Sequence, residues 1–211
     1  MISRLTPRTA HWLSRIWPAR CENGRIESSR KHWDDRYRDR TVTAPSAPEI
    51  LALNPEMAAL LPGSGHALDI ACGRGAQTTW LASRGLDVIA LDVSEVAIAL
   101  ANAAAEASGV AQRVDARQQN LENGLPDELQ DFDIIVCQRF RNPMVLDALG
   151  ARLRPKGVAF VTVLSSVGLG RTPGKYHAPA GELINVFTRV GVEIEWHLEA
   201  DGLASIVIRR T

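Results

Sequence analysis

The segment HALDIACGRGAQTTWLAS, residues 66–83, decides the fold. Its first six residues form a short apolar run typical of a buried strand, and two glycines follow in CGRGA. Residues 77–83 then carry apolar side chains at helical spacing. The order predicts a strand, a glycine turn and a helix, and we expect a ligand at the turn because glycine lets it approach the backbone.

The same alternation of strand and helix continues along the chain. Further strands are predicted at 86–92, 114–118, 133–138 and 157–164, and further helices at 94–107, 143–153 and 179–189. The last apolar runs, VEIEWHL and LASIVIRR, alternate in polarity across a short turn and predict an antiparallel hairpin. The other strands read as the continuous apolar runs typical of parallel sheets. We therefore predict an α/β, doubly wound, mostly parallel sheet with its ligand site at the carboxyl ends of the strands.

Length and composition narrow the class of protein. The chain has 211 residues, and its 24 basic and 24 acidic residues cancel, which argues against a general polyanion binder. No apolar run approaches the about 20 residues that span a bilayer, so we predict no integral membrane association. Cys21, Cys72 and Cys137 are few and widely separated, which argues against a disulfide framework and favours a cytoplasmic location.

The charge is uneven along the chain. Residues 1–40 hold ten Lys or Arg against five Asp or Glu, and the basic residues before Cys21 lie among apolar positions. We predict that residues 1–30 are a basic, loosely ordered N-terminal extension and that residues 31–211 form a single domain. A start-site artefact, a targeting segment or a membrane-surface helix remains open for the extension.

Two acids mark the expected ligand site. Asp69 precedes the glycine turn, and Asp92 ends the second strand, where a carboxylate can accept both hydroxyls of a ribose. A dinucleotide fingerprint needs a third glycine at position 78, which is Thr78 here. A carboxylate at Asp69 attracts a cation and repels a pyrophosphate. The pair indicates a nucleoside-bearing cofactor with a sulfonium.

At these residues the chain resembles the class I S-adenosylmethionine-dependent methyltransferases. The resemblance rests on ALDIACGRGAQTTWLA and DVIALDVSEVAIALANA, and it extends from about Lys31 to the C-terminus through DFDIIVCQ and LRPKGVAFVTVL. WDDRY, APSAPEILAL and KYHAPAGEL most resemble the small tellurite-resistance and thiopurine-type group. Ala71 stands where many members carry a glycine. The resemblance implies a seven-stranded, Rossmann-like sheet and S-adenosyl-L-methionine as the cofactor.

The resemblance also implies a set of cofactor-binding residues. It places the methionine portion by the turn, the ribose at the second strand, adenine after the third strand and the reactive end at the fourth. In that order the residues are Asp69, Ala71, Cys72, Gly73 and Gly75; Asp92 and Val93; Asn120 and Leu121; Cys137 and Gln138. The alternatives are a plain tight turn at the two glycines, a helix-capping role for Asp92, an ordinary loop position for Asn120 and a small buried hydrophobic role for Cys137.

Candidates for the acceptor side come from three other segments. Tyr176 and His177 follow a glycine-rich loop that is long enough to close over a substrate, and His177 is either a base or a packing residue. Trp33 and Tyr37 either roof the pocket or pack in the core. Arg139 either holds an anionic acceptor or is solvated. No histidine or cysteine has metal-ligand spacing, so no metal is predicted.

The predicted activity is methyl transfer to a small-molecule acceptor by in-line displacement. We expect a thiol, a chalcogen oxyanion or a similar nucleophile as the acceptor, because such groups need little help from a base. QRFRNP after the fourth strand lacks the Asn/Asp-Pro-Pro-aromatic run of nucleic-acid amino methyltransferases, so no nucleic-acid partner is predicted. A catalytically silent S-adenosylmethionine-binding module and a nicotinamide-dependent oxidoreductase stay open as alternatives.

Overall fold

A computed structural model describes residues 19–211, with side chains from residue 27 onward. Residues 1–18, the larger part of the predicted extension, lie outside the described residues. The remainder of that extension belongs to helix α1 (Ala19–Tyr37), which continues without a break across residue 30. Within residues 19–211, no helix is both long and apolar enough to cross a membrane.

One mixed sheet organises the chain. Its strands are β1 (Gly65–Ile70), β2 (Leu86–Asp92), β3 (Val114–Gln118), β4 (Phe132–Gln138), β5 (Leu153–Leu164), β6 (Glu193–Ala200) and β7 (Leu203–Arg209). They lie in the order β3-β2-β1-β4-β5-β7-β6. Strands β1 to β5 pair in parallel, while β7 is antiparallel to both β5 and β6. The predicted doubly wound sheet with an antiparallel C-terminal hairpin is confirmed.

Helices cover both faces of the sheet. After α1 they are α2 (Glu49–Leu53), α3 (Ala76–Ser83), α4 (Glu95–Ala107), α5 (Pro143–Arg152) and α6 (Glu182–Arg189), with short 3-10 helices at Pro55–Leu60 and Ala111–Arg113. Successive side chains of a strand point to opposite faces. In β4, Ile135 therefore packs in the cluster that holds α5 and α6, while Ile134 packs in the cluster that holds Ile50 and Leu81 of α2 and α3.

Two predicted boundaries differ from the structure by three residues or more. Strand β5 already begins at Leu153, which pairs with Phe132 before the register shifts, whereas the sequence places the strand after Pro155. Helix α6 begins at Glu182 rather than at residue 179, because Gly181 at φ 73° turns the chain into the helix. Both boundaries follow irregular backbone that hydrophobic periodicity does not reveal.

Candidate functional site

A cavity of about 580 Å³ opens at the carboxyl ends of the central strands. It lies where β1 separates β2 from β4, the switch point at which doubly wound sheets bind ligands. Twelve residues singled out from the sequence line it: Trp33, Tyr37, Asp69, Ala71, Cys72, Gly73, Asp92, Val93, Asn120, Leu121, Gln138 and Arg139.

Asp69 is the buried acid at the end of β1. Its side chain is 2% exposed, and Oδ2 accepts a hydrogen bond from the Thr78 hydroxyl at 2.6 Å. Burial raises the pKa of Asp69 to about 7, and the charge of Asp92 adds to the rise although hydrogen bonds from Thr78 oppose it. A cationic ligand group beside this carboxyl would stabilise its ionised form.

Asp92, at the end of β2, is oriented by backbone amides on both sides. Its Oδ2 accepts from the Gly73 amide at 2.9 Å, and its Oδ1 accepts from the Ser94 amide at 2.9 Å. Burial also raises the pKa of Asp92, against the lowering effect of these hydrogen bonds. Each carboxylate oxygen can accept a second hydrogen bond, so the side chain is placed to accept from the two hydroxyls of a ribose.

The glycine turn is shaped by backbone conformations that favour glycine. Gly73 has φ 54°, and a Cβ there would lie 2.9 Å from the Tyr37 hydroxyl. Gly75 has φ 79°, and its Cβ would lie 2.8 Å from both Cα and Cβ of Ala101 in α4. Ala71 also adopts a positive φ of 54°, which strains a residue with a side chain by about 1 kcal/mol. This conformation explains why a glycine suits position 71 in the resembling proteins.

Helix α1 roofs the cavity with aromatic side chains. Trp33 and Tyr37 stack with ring centroids 6.1 Å apart. Asp34 fastens the helix to the start of α4, because its Oδ1 accepts from the Ser94 hydroxyl at 2.6 Å. Burial raises the pKa of Tyr37 to about 12, so its hydroxyl stays protonated at neutral pH. The roof is therefore joined to the same Ser94 whose amide orients Asp92.

A carboxylate that the sequence analysis did not single out lies beside the end of β4. Arg139 Nε donates to Glu49 Oε1 at 2.8 Å, and a terminal nitrogen of Arg139 forms an ion pair with the same oxygen at 2.8 Å. The Glu49 amide donates to Gln138 Oε1 at 3.1 Å. Arg139 is thus already paired within the protein, and the second carboxylate oxygen, Oε2, is buried without a hydrogen-bond partner.

The adenine-side candidates lie after β3 and β2. Asn120 Oδ1 accepts from the Glu122 amide at 2.9 Å, so the side-chain oxygen serves the turn and the amide nitrogen is left for a ligand. Leu121 is 4% exposed and packs into the core from the same turn. Val93, directly after Asp92, shares the cavity wall with both.

Four sequence candidates do not line the cavity. Cys137 is fully buried in the core beside α5, because it alternates with Gln138 along β4, and burial raises the pKa of its thiol well above the ordinary range. This corrects the expectation that Cys137 faces the reactive end. Gly75 shapes the turn from behind. The Tyr176 ring lies 6.4 Å from the Trp33 ring and 4.6 Å from Lys175 Nζ, and His177 Nδ1 accepts from the Gly174 amide at 3.0 Å.

Sequence reasoning also missed several lining residues. They are residues to which the sequence analysis gave no role, although some lie inside the motifs quoted there: Ser29, Arg36, Arg40, Thr43, Glu49, Arg74, Ala76, Gln77, Gln119, Glu122, Phe140 and Leu164. Phe140 was detectable in principle, as an aromatic residue directly after a predicted parallel strand. Glu49 carried no such indication, because only the docking of α2 against β4 brings it to the site.

Comparisons with known proteins agree with this geometry. Residues 67–157 match the family profile described as "Methyltransferase domain". A ubiquinone biosynthesis O-methyltransferase from Xanthomonas axonopodis pv. citri (strain 306) is 28% identical over 135 residues, which are 59% of this chain and 54% of that protein. The chain spans about half or less of the length of the first curated relatives that it matches.

Solved structures share the fold at low identity. One, described as "Conversion of a Disulfide Bond into a Thioacetal Group during Echinomycin Biosynthesis", has a TM-score of 0.63 at 24% identity and covers 86% of this chain and 93% of that chain. TehB from Haemophilus influenzae has a TM-score of 0.59 at 18% identity and covers 69% of this chain and 57% of that chain. These likenesses concern the fold alone.

The sheet order, the glycine turn and the profile match over residues 67–157 are all similar to those of a methyltransferase domain, and the likeness implies S-adenosyl-L-methionine as the cofactor. The buried acids Asp69 and Asp92 fit a ligand that carries a positive sulfur and a ribose. Gly73 fits such a ligand too, because it has no side chain between the ligand and the backbone. Nothing in these matches separates the tellurite-resistance and thiopurine-type group from other members.

Proposed function

We propose that this protein transfers the methyl group of S-adenosylmethionine to a small-molecule acceptor by in-line displacement. The observation that carries the proposal is the placement of two buried carboxylates, Asp69 and Asp92, at adjacent strand ends around one glycine turn. When bound, S-adenosylmethionine supplies an electrophilic methyl group on a positively charged sulfur. The protein's task is then to hold two reactants in line and to exclude water.

Each part of the cavity has a proposed role. Asp69 and the backbone of Gly73 hold the methionine portion, and Asp92 accepts the ribose hydroxyls. Asn120, with Val93 and Leu121, contacts adenine. Trp33 and Tyr37 close the cavity from above, where aromatic surface both packs on a ligand and keeps water out. Gln138 and Arg139 border the space left for the acceptor.

The acceptor is proposed to be a small molecule. Several matched relatives are named as O-methyltransferases of ubiquinone biosynthesis, which supports a small organic acceptor with a nucleophilic oxygen. A thiol or a chalcogen oxyanion, the acceptors of the resembling tellurite-resistance and thiopurine-type group, belongs in the same screen. The neutral overall charge of the chain supports the absence of a nucleic-acid partner.

Calorimetry with S-adenosylmethionine tests the proposal, with NAD as the matched control. We expect micromolar binding of S-adenosylmethionine and none of NAD. Transfer of a labelled methyl group is then measured against hydroxylated, thiol and chalcogen acceptors. Tight binding of NAD, or no binding of S-adenosylmethionine, would contradict the proposal.

A silent binding module is the second candidate. Two observations favour it: the strained backbone of Ala71 in the turn, and the shared fold of the [4+2]-cyclase SpnF, with a TM-score of 0.63 at 17% identity. The cyclase shows that this fold also serves chemistry other than methyl transfer. Turnover with any acceptor in the screen removes this candidate.

A further inference from the structure

We propose that Glu49 accepts the proton of the acceptor and that the acceptor is a neutral hydroxyl compound rather than a thiolate or an oxyanion. The inference rests on the proposed methyl transfer and adds to it a catalytic residue and an acceptor class. It begins from the carboxylate that lines the cavity beside Arg139.

The carboxylate of Glu49 has unused capacity to accept hydrogen bonds. Nε and one terminal nitrogen of Arg139 each lie 2.8 Å from Oε1, while Oε2 is buried without a hydrogen-bond partner. A buried acceptor without a donor is unfavourable, because it has lost its hydrogen bonds to water and gained none in the protein. Rotation about the terminal bond of a glutamate is soft, so the carboxylate can keep Arg139 on one oxygen and turn the other to a ligand.

The position of Glu49 is fixed by its neighbours. Its amide donates to Gln138 Oε1 at 3.1 Å, and the next residue, Ile50, is fully buried against the sheet. Gln138 ends β4, which lies directly beside β1 and Asp69 in the sheet. The carboxylate is therefore held in the same cavity as the cofactor-binding acids, at the edge bordered by the fourth strand.

Charge at this edge favours a neutral acceptor. Glu49 neutralises the Arg139 guanidinium, so that cation is not free to bind an anionic acceptor. Three other arginines line the cavity: Arg36 lies over the Trp33 ring at 5.6 Å, Arg74 donates to the Thr41 carbonyl at 2.9 Å, and Arg40 comes just after helix α1. A thiolate or oxyanion near Glu49 meets a like charge, whereas a hydroxyl donates to it.

The cavity also suits an acceptor with a planar apolar body. Trp33, Tyr37 and Phe140 share its wall, and flat aromatic surfaces pack well on rings. Tyr37 does not replace Glu49 as the base, because burial raises the pKa of its hydroxyl to about 12 and keeps it protonated. Glu49 differs from Asp92 in the same cavity, because both oxygens of Asp92 accept from backbone amides whereas Oε2 of Glu49 is buried without a donor.

The step balances without another reactant. The acceptor oxygen forms a bond to the methyl carbon as the bond from that carbon to sulfur breaks, and the electron pair of the broken bond stays on sulfur. The proton of the acceptor hydroxyl passes to Glu49 and later to solvent. S-Adenosylhomocysteine and the methyl ether are the products.

A binding experiment tests the proposal without turnover. Catechol, which is neutral at neutral pH, serves as the hydroxyl probe, and 4-nitrothiophenol, which is a thiolate there, serves as the thiol probe; each is titrated into protein saturated with S-adenosylhomocysteine. We expect Glu49→Gln to weaken catechol binding about tenfold and to leave 4-nitrothiophenol no weaker. Glu56→Gln, the same change at an exposed residue one helix further on, is the matched control and should change neither affinity.

Kinetics with S-adenosylmethionine then separate a catalytic role from a structural one. Glu49→Gln should lower kcat for catechol about 100-fold with an unchanged KM for S-adenosylmethionine, and Glu49→Asp should restore part of it. The proposal is overturned if Glu49→Gln leaves both affinity and kcat unchanged, if the thiol is the only probe methylated, or if neither probe binds. Failure of the wild-type protein to bind S-adenosylmethionine would instead overturn the proposed function itself.

Discussion

The two halves of the cavity are built in different ways. On the cofactor side, Asp69, Gly73 and Asp92 lie within one βαβ unit, and backbone amides hold the acid of β2. On the acceptor side, Trp33, Glu49 and Arg139 come from three separate segments and meet through side-chain contacts. The comparison shows that the cofactor half is set by local backbone geometry, while the acceptor half depends on how distant segments dock.

The largest effect, on the free energy of unfolding, is expected at Gly75 in the cofactor half, because the structure leaves no room there for a side chain. Gly75→Ala should lower the free energy of unfolding by about 3 kcal/mol, because positive φ and a clash 2.8 Å from Ala101 act together. The measurement is the urea midpoint. Gly109→Ala is the control, since it has φ 69° but nothing within 4 Å, and it should lose only about 1 kcal/mol. Equal losses at the two sites would mean that contact with α4 is unimportant.

The second prediction concerns the ribose acid. Asp92→Asn should weaken S-adenosylmethionine binding about 100-fold, because an amide replaces the charged acceptor and turns a donor toward the amide of Gly73 or Ser94. Calorimetry measures the change. Asp87→Asn, at an exposed position of the same strand, should leave the affinity unchanged. Unchanged affinity in Asp92→Asn would remove Asp92 from the cofactor half.

The third prediction is a pH dependence of cofactor affinity. The pKa of Asp69 is raised to about 7 by burial, and the cationic cofactor requires the ionised carboxylate. Affinity should therefore rise with pH and level off above about 7; below that value each pH unit should weaken binding up to about tenfold, because the competent fraction falls. Asp69→Asn should bind weakly with a shallower pH profile, the remaining slope arising from the raised pKa of Asp92. An unchanged slope in Asp69→Asn would assign the titration to another group.

The smallest effect, on S-adenosylmethionine affinity, is expected at the hydrogen bond that joins helix α1 to the start of α4. Asp34→Ala removes the acceptor of the 2.6 Å hydrogen bond from Ser94 and loosens the α1 roof. We expect S-adenosylmethionine affinity to fall about fivefold, the value of one partly buried hydrogen bond. Asp35→Ala, whose partner is the exposed Arg38 at 2.5 Å, is the control. Equal effects of the two variants would show that the roof needs helix α1 but not this hydrogen bond.

The correction at Cys137 has a simple physical origin. The sequence places Cys137 and Gln138 together at the end of a strand, but adjacent strand residues face opposite sides of the sheet. Gln138 therefore reaches the cavity, while Cys137 packs among α5 residues. The loop candidate His177 is likewise held by Gly174 of its own loop. Strand alternation by itself separates Cys137 from Gln138, whereas the contact of His177 with Gly174 depends on how its loop folds.

The sequence by itself determined the sheet, its C-terminal hairpin and the acids at the ends of β1 and β2. These features follow from short-range patterns, because apolar period, glycine spacing and capping residues act within a few residues. Only the tertiary structure decided the acceptor half. Glu49 lies 90 positions from Arg139, and the packing of α2 and α1 over the strand ends, rather than any local pattern, brings such residues into one cavity.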